Sequence, residues 1–231
     1  MKYANTTLHG LLVVDKPLGV SSMDVVRQVR RAGGHVKTGH AGTLDPLATG
    51  VLICCIGRAT RAVGALMGMT KVYAADVDLS AFTNTDDAEG ERQPVEVEYP
   101  PSAEQVRAAL HQLTGEVEQT PPAYSAIKIG GQRAYKLARK GEDVIMPSRT
   151  VRIDRIDLVR YDWPALSIIV TCGKGTYIRS LGRQIGQILG TGGYLTALRR
   201  TAIGPYTIGQ AVPLDKVPRP LTQNDLLPTP V

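Results

Sequence analysis

The stretch GHAGTLDPLATGVLICCIG, residues 39–57, holds one acid, Asp45, in a run that carries no other formal charge and is bounded by glycines. A proline follows the acid directly. Two readings compete. In the local one, Asp45 caps a helix, Pro46 takes the first helical position and Gly50 stops the helix a turn later. In the chemical one, the glycines let a bulky ligand approach the backbone closely, and the carboxylate is displayed to it. A single displayed acid can act as a nucleophile or as a general base. Hydrolysis of a glycosidic bond normally takes two carboxylates and an admitted water. No Cys or His pair has metal-ligand spacing, and the four histidines are scattered.

A displayed acid needs a rigid frame, and 231 residues are enough to bury a real core. The 43% hydrophobic and 21% charged content is that of an ordinary globular protein. No apolar run approaches the roughly 20 residues of a membrane span. The N-terminal patch LLVV is too short for a signal-peptide core, so a cytoplasmic location is expected. Cys54 and Cys55 are neighbours on an expected strand and so point to opposite faces; with Cys172 they read as buried structural thiols. The net charge of +6 is uneven. The start and end of the chain are basic and the middle is acidic, which gives one positive face if the ends meet in space. Such a face attracts phosphate backbones.

The elements follow from periodicity and caps. LLVV reads as a short buried strand. SSMDVVRQVRRAGG reads as a helix capped by Ser21 or Ser22, with Met23, Val25 or Val29, and Val26 on its apolar face and Gly33 or Gly34 at its end. Its Arg27, Arg30 and Arg31 are left to solvent or to a ligand. VLICCI is a buried strand and TRAVGALMG a short helix. KVYAADVDLS alternates, with Tyr73, Ala75, Val77 and Leu79 on one face. NTDDAEGE is a turn or mobile loop. PSAEQVRAALHQLTG is a helix with a Ser102–Gln105 capping box. AYSAIKIGGQRAYKLARKG reads as strand, glycine turn and basic helix. TVRIDRIDLVRYD and ALSIIVTCG pair as antiparallel strands about Trp163–Pro164, and TYIRSLGRQIGQILG is the last helix. The proline-rich end, VPRPLTQNDLLPTPV, is expected to be loosely ordered. Without strict βαβ alternation, the fold class is α+β with a large, mostly antiparallel mixed sheet flanked by helices.

Four segments in order, LLVVDKPLGVSSMDVV, GHAGTLDPLATGVL, PPAYSAIKIGGQRAYKLARKG and CGKGTYIRSLGRQIG…YLTALRR, resemble the bacterial tRNA pseudouridine synthases of the TruB family, over residues 10 to about 217. The resemblance implies the pseudouridine synthase catalytic fold and an isomerase that converts a T-loop uridine (uridine 55) of transfer RNA to pseudouridine after flipping the base. The reaction breaks the C–N glycosidic bond, turns the base and joins C1′ to C5. No atoms are gained or lost, so no cofactor, metal or redox partner is needed.

By the same resemblance Asp45 is the catalytic aspartate and Arg179 the arginine that pairs with it. Tyr73 stacks on the flipped base and assists proton removal. Tyr177 and Leu198 are pocket walls, His40 enters the stack in place of the departed base, and Lys16 with Pro17 matches a motif near the pocket. A guanidinium suits a carboxylate because it stays charged and can hold it bidentately. Arg58, Arg61, Arg199 and Arg200 are candidate RNA-backbone contacts.

This chain has TNT at Thr83–Thr85 where many relatives carry TDT, so the surroundings of Asn84 are expected to differ. Residues 1–217 are expected to form the catalytic domain, followed by a Pro-rich tail (218–231) without a separate C-terminal RNA-binding domain of the PUA type. The expected partner is the T stem-loop of tRNA, with no metal and no membrane, and the expected state is a monomer. An RNA-binding or tRNA-folding module without essential catalysis is the alternative, and a hydrolase of free nucleosides is a third.

Overall fold

The computed structural model describes residues 8–125, 127–129, 131–134, 137 and 145–229. The basic helix expected after the glycine turn at Gly130–Gly131 falls almost wholly outside them. In chain order the elements are β1 (Gly10–Lys16), α1 (Ser22–Ala32), β2 (Thr38–His40), β3 (Ala48–Ile56), α2 (Val63–Gly68), β4 (Lys71–Asp78), β5 (Ala81–Thr83) and β6 (Arg92–Pro94). They continue with α3 (Ala103–Gln112), β7 (Gly115–Gln119), β8 (Lys128–Ile129), β9 (Gln132–Arg133), β10 (Arg149–Asp162) and β11 (Ala165–Cys172). The chain closes with α4 (Ile178–Leu189), β12 (Tyr194–Ile203), β13 (Tyr206–Thr207) and β14 (Val212–Pro213). The fold is α+β, built on a large mixed sheet with flanking helices. It divides into two compact units, Met1–Tyr73 with Leu198–Val231 (unit 1) and Ala74–Ala197 (unit 2).

In unit 1 the strands run in the order β14-β1-β3-β12-β4, with β2 on β3 and β13 on β12. β1 pairs antiparallel with β3 along the whole of β1, Gly10 opposite Ile56 and Lys16 opposite Gly50. β12 joins β3 in parallel, Leu198 opposite Ala48 and Arg200 opposite Gly50. Helix α1 starts at Ser21, whose hydroxyl accepts from the Asp24 amide while the Asp24 carboxylate accepts from the Ser21 amide. Val25, Val26, Val29 and Ala32 are buried in one core cluster with Leu12, Val14, Leu52 and Cys54. Met23, expected on that face, is instead half exposed: the buried stripe runs through Ser22, Val25, Val26, Val29 and Ala32, and Met23 falls beside it. Cys55 belongs to a second cluster with Leu11, Val13, Val51 and Ile53, so the two neighbouring thiols do face opposite sides of β3.

The C-terminal end is not loose. Leu214, Val217, Leu221 and Leu226 are buried in the α1 cluster. The Leu221 amide donates to the Ala32 carbonyl at the end of α1, and Leu11 and Leu227 exchange two backbone hydrogen bonds of 2.9 and 2.8 Å. Burying such a side chain contributes roughly 1.5–3 kcal/mol, against an ordering cost of about 1–2 kcal/mol per residue that prolines reduce in advance. The prolines that read as a sign of looseness lower the cost of order.

In unit 2 the strands run β4-β11-β10-β7. β10 and β11 form the expected antiparallel pair about Trp163–Pro164, Asp162 opposite Ala165, with two register shifts along it. Ala75, Val77 and Leu79 are buried on the expected face of β4 and its continuation, and Asp76 is exposed. Helix α3 carries the expected capping box, Ser102 with Gln105, and buries Val106, Ala109 and Leu110.

Candidate active site

Asp45 stands in the connection between β2 and β3, half-buried, and its carbonyl accepts from the Ala48 amide to close one turn. No helix follows. β3 begins at Ala48, so the helix-cap reading is replaced by a turn-to-strand one, and Gly50 lies inside the strand. There it has φ +100°, and a Cβ would stand 2.2 Å from the Arg200 carbonyl oxygen. Glycine is required at this position by both backbone conformation and the close approach of β12.

The connection is held by its backbone from three directions, all within unit 1. From α1, the buried Ser22 hydroxyl accepts from the Leu44 amide (2.8 Å) and donates to the Leu44 carbonyl (2.9 Å). From the end of β1, the Pro46 carbonyl accepts from the Gly19 amide (2.8 Å) and from Lys16 Nζ (3.3 Å), which also donates to the Pro17 and Val20 carbonyls. From β12, Arg200 donates through Nε to the Val51 carbonyl (2.7 Å) and through Nη2 to the Gly42 carbonyl (3.0 Å). Both flanking residues of Asp45 are therefore pinned, as a reacting group requires. Lys16 and Arg200 are fully buried. Burial lowers the Lys16 ammonium to about 8, the charge of Asp45 opposes that fall, and Arg200 adds to it. Lys16 thus remains a cation at neutral pH.

This geometry corrects one expectation. The sequence makes Arg200 a candidate phosphate contact, but it is buried and spends its donors on main-chain carbonyls. Its neighbour Arg199, on the opposite face of β12, is partly exposed and donates to Asp15 (2.7 Å) and Thr49 (3.2 Å). Arg58 and Arg61 are exposed on the 3₁₀ turn after β3. Eight residue steps of about 3.3 Å put them about 26 Å along the strand from Ala48, away from the acid. Leu198 is buried opposite Ala48, and Tyr73, half-buried, follows Val72, whose carbonyl accepts from the Thr201 hydroxyl. His40 ends β2 opposite Cys54. Its burial, and then the charge of Arg200, lower its pKa, which favours a neutral ring able to stack.

In unit 2, Tyr177 caps α4; its amide donates to Gln119 (2.7 Å) and the Arg149 guanidinium lies 5.0 Å from its ring centre. Arg179, in the first turn, is 4% exposed. It donates to the Asp87 carboxylate (3.3 Å) and to the Thr85 (3.2 Å) and Tyr124 (3.0 Å) carbonyls. One turn further along α4, Arg183 pairs with Asp86. Burial raises Asp86 although Arg183 opposes the shift. The segment read as a turn or mobile loop is thus a fixed one. The Asp87 carboxylate also accepts from the Thr85 hydroxyl (2.6 Å) and the Glu89 amide (3.1 Å), and Asn84 accepts from the Glu91 amide. The roles of Ser22, Asp86 and Asp87 were not foreseen. The signal for the two acids was present: adjacent aspartates in a threonine-flanked turn, and arginines at i and i+4 of a helix.

Known proteins resemble this chain, and it belongs to the TruB family of pseudouridylate synthases. The model of that family's N-terminal domain matches residues 30–178, and the model of the tRNA pseudouridylate synthase B C-terminal domain matches residues 179–225. A tRNA pseudouridine synthase B of Arthrobacter sp. (strain FB24) is 48% identical over 216 residues, covering 91% of this chain and 71% of the relative. That of Thermobifida fusca (strain YX) is 48% identical over 220 residues, covering 90% and 74%. Among solved structures, a chain of a Cbf5–Nop10–Gar1 complex superimposes with a TM-score of 0.71 at 29% identity, over 90% of this chain and 53% of that one. A chain of an H/ACA RNP bound to a substrate RNA containing 2′-deoxyuridine gives 0.68 at 26%, over 90% and 52%. This chain therefore spans about half the length of those two structures' chains.

Proposed function

We propose that this protein isomerises a uridine in the T loop of transfer RNA, uridine 55 by the family's pattern, to pseudouridine. The observation that carries the reading is the Asp45 connection, gripped on both sides of the acid by Ser22, Lys16 and Gly19 and from β12 by Arg200. Three holds on the backbone of one short turn fix a side chain that must meet a reacting atom. Asp45 then either attacks or takes a ribose proton while the C1′–N1 bond breaks. The base turns within the pocket, C1′ joins C5 as the bond to Asp45 breaks or the borrowed ribose proton is returned, the C5 proton leaves and N1 gains one. The loop uridine must first be extracted from its stack. Tyr73, Tyr177 and Leu198 bound the base and His40 fills the gap in the RNA stack. Lys16 supports the loop, and Arg58, Arg61 and Arg199 meet phosphates. Arg179 serves the same reaction, its guanidinium fixed by Asp87. Every residue given a role here lies within residues 1–217, which we take as the catalytic domain.

The test is incubation with unmodified tRNA followed by mapping of pseudouridine. Product at the T-loop uridine is expected, and its absence there overturns the assignment. An Asp45→Asn variant is expected to bind tRNA and form no product. Product at the wild-type rate from that variant would remove the acid from the mechanism.

A further inference from the structure

In unit 2, two buried stripes end in polar side chains where the strand alternation calls for apolar ones. On β10 the stripe of Ile153 and Val151 runs on to Arg149, and on β7 that of Val117 runs on to Gln119. Arg149 and Gln119 stand directly opposite each other in the β7–β10 register. Both reach the same residue, Tyr177. The fully buried Gln119 accepts from the Tyr177 amide (2.7 Å) and donates to Gln184 (3.3 Å). Arg149 sets its guanidinium 5.0 Å from the Tyr177 ring centre and donates through Nη2 to the Gly175 carbonyl. Its Nε is sealed from solvent and has no hydrogen-bond partner among the described residues. Buried polar groups are normally paired, so this guanidinium forgoes a hydrogen bond in facing the ring.

Tyr177 itself departs from a local rule. It stands at the N-cap of α4, where Ser, Thr, Asp or Asn would close the helix with its own oxygen, and its side chain makes no cap bond. The turn that leads into it is tied to β10, the Gly173 amide donating to the Arg152 carbonyl (2.9 Å). With the main chain held at Gly173, at Gly175 and at Tyr177, the ring is left only the rotation of its side-chain torsions. Arg149 is placed to remove that freedom, because a guanidinium is attracted to the face of a tyrosine ring and stacks on it.

We propose that Arg149 is a positioning residue for the isomerisation, acting through Tyr177: it holds the plane of the ring at the angle that bounds the target base while the base turns. The proposal rests on the reading of Tyr177 as a wall of the uridine pocket. A base cut from its ribose is oriented by its walls alone, and they decide whether it presents N1 or C5 to C1′. A swinging wall slows the joining step and leaves RNA binding as it was.

Single-turnover rate and tRNA affinity of the full chain are measured for Arg149→Met, Arg149→Gln and Arg149→Lys, each with Tyr177 and with Tyr177→Leu. Two neutral variants keep the comparison readable if one of them does not fold. Each neutral variant is expected to slow the single-turnover rate about tenfold, the scale of one cation–π contact, with affinity and its salt dependence unchanged. Arg149→Lys keeps a cation without the planar fork and is expected to recover part of the rate. In the Tyr177→Leu background, which offers no ring face, the Arg149 variants are expected to bring no further loss. In NMR spectra of ring-labelled tyrosine, the Tyr177 signal, assigned by its loss in Tyr177→Phe, is expected to be displaced in Arg149→Met.

An equal loss with and without the Tyr177 ring overturns the proposal. So does a lower thermal midpoint with an unchanged rate. A loss confined to affinity, with a shallower salt slope, overturns it as well and makes Arg149 a phosphate contact. If the wild type forms pseudouridine and the Arg149 variants match it, only this proposal falls. If the wild type forms none while the Tyr177 signal answers to Arg149, the functional reading falls and the hold on the ring stands.

Discussion

Unit 1 and unit 2 hold their principal charged residues in opposite ways. In unit 1 the structure grips the main chain around Asp45: a hydroxyl, an ammonium and a guanidinium all hydrogen-bond backbone groups of the connection. In unit 2 it grips the side chain of Arg179, with a buried carboxylate and two carbonyls on the guanidinium itself. The difference fits the roles proposed above for the two groups. A carboxylate that must react is best fixed through the chain that carries it. A cation that only supplies a field is best fixed at its charge. Breaking the first kind of hold should therefore show in turnover, and breaking the second in folding.

Asp45→Asn marks the limit of that contrast, with kcat expected to fall by roughly 10⁴–10⁶, the scale seen when one member of a catalytic triad is removed, and tRNA affinity within about threefold; single-turnover assays and filter binding read the two. Asp87→Ala removes one carboxylate from the buried Arg179, a loss of up to roughly 3–5 kcal/mol in stability, read by urea denaturation. Asp87→Asn should recover part of it. Ser22→Ala should cost about 1–3 kcal/mol for the stranded Leu44 groups and lower kcat roughly 10²-fold, the scale of a 1 Å misplacement, with KM unchanged. A fall in stability alone would make Ser22 only a packing residue.

The smallest effect is in pH. Lys16 titrates at about 8 when folded against 10.5 unfolded, so between those values the unfolded chain binds more protons. Its contribution to stability therefore rises with pH across that window, and Lys16→Met should flatten the rise in a denaturation series from pH 7.5 to 10.

Local pattern was enough for much of this. The Ser21 and Ser102 caps, the α1 stripe, the β4 alternation and the β10–β11 pair are each written within about two dozen consecutive residues. The prominence of Asp45 was equally plain, because it is the only acid in its run. What stayed hidden depends on distant partners. Ser22 looks like a spare cap beside Ser21 until Leu44 arrives from 22 residues away. The buried tail needed α1 to be in place. Arg200 was the avoidable miss, since neighbours on a strand face opposite ways and one of the Arg199–Arg200 pair had to turn inward.

The two thiols at the centre of β3 have a practical consequence. Burial raises both, Cys55 to about 11, and leaves them without access to reagents. Native protein should thus ignore maleimides, and labelling should proceed only when this strand parts from its neighbours. Cys54 and Cys55 serve as an internal clock for the opening of the segment that bears Asp45, readable by mass spectrometry without any engineered probe.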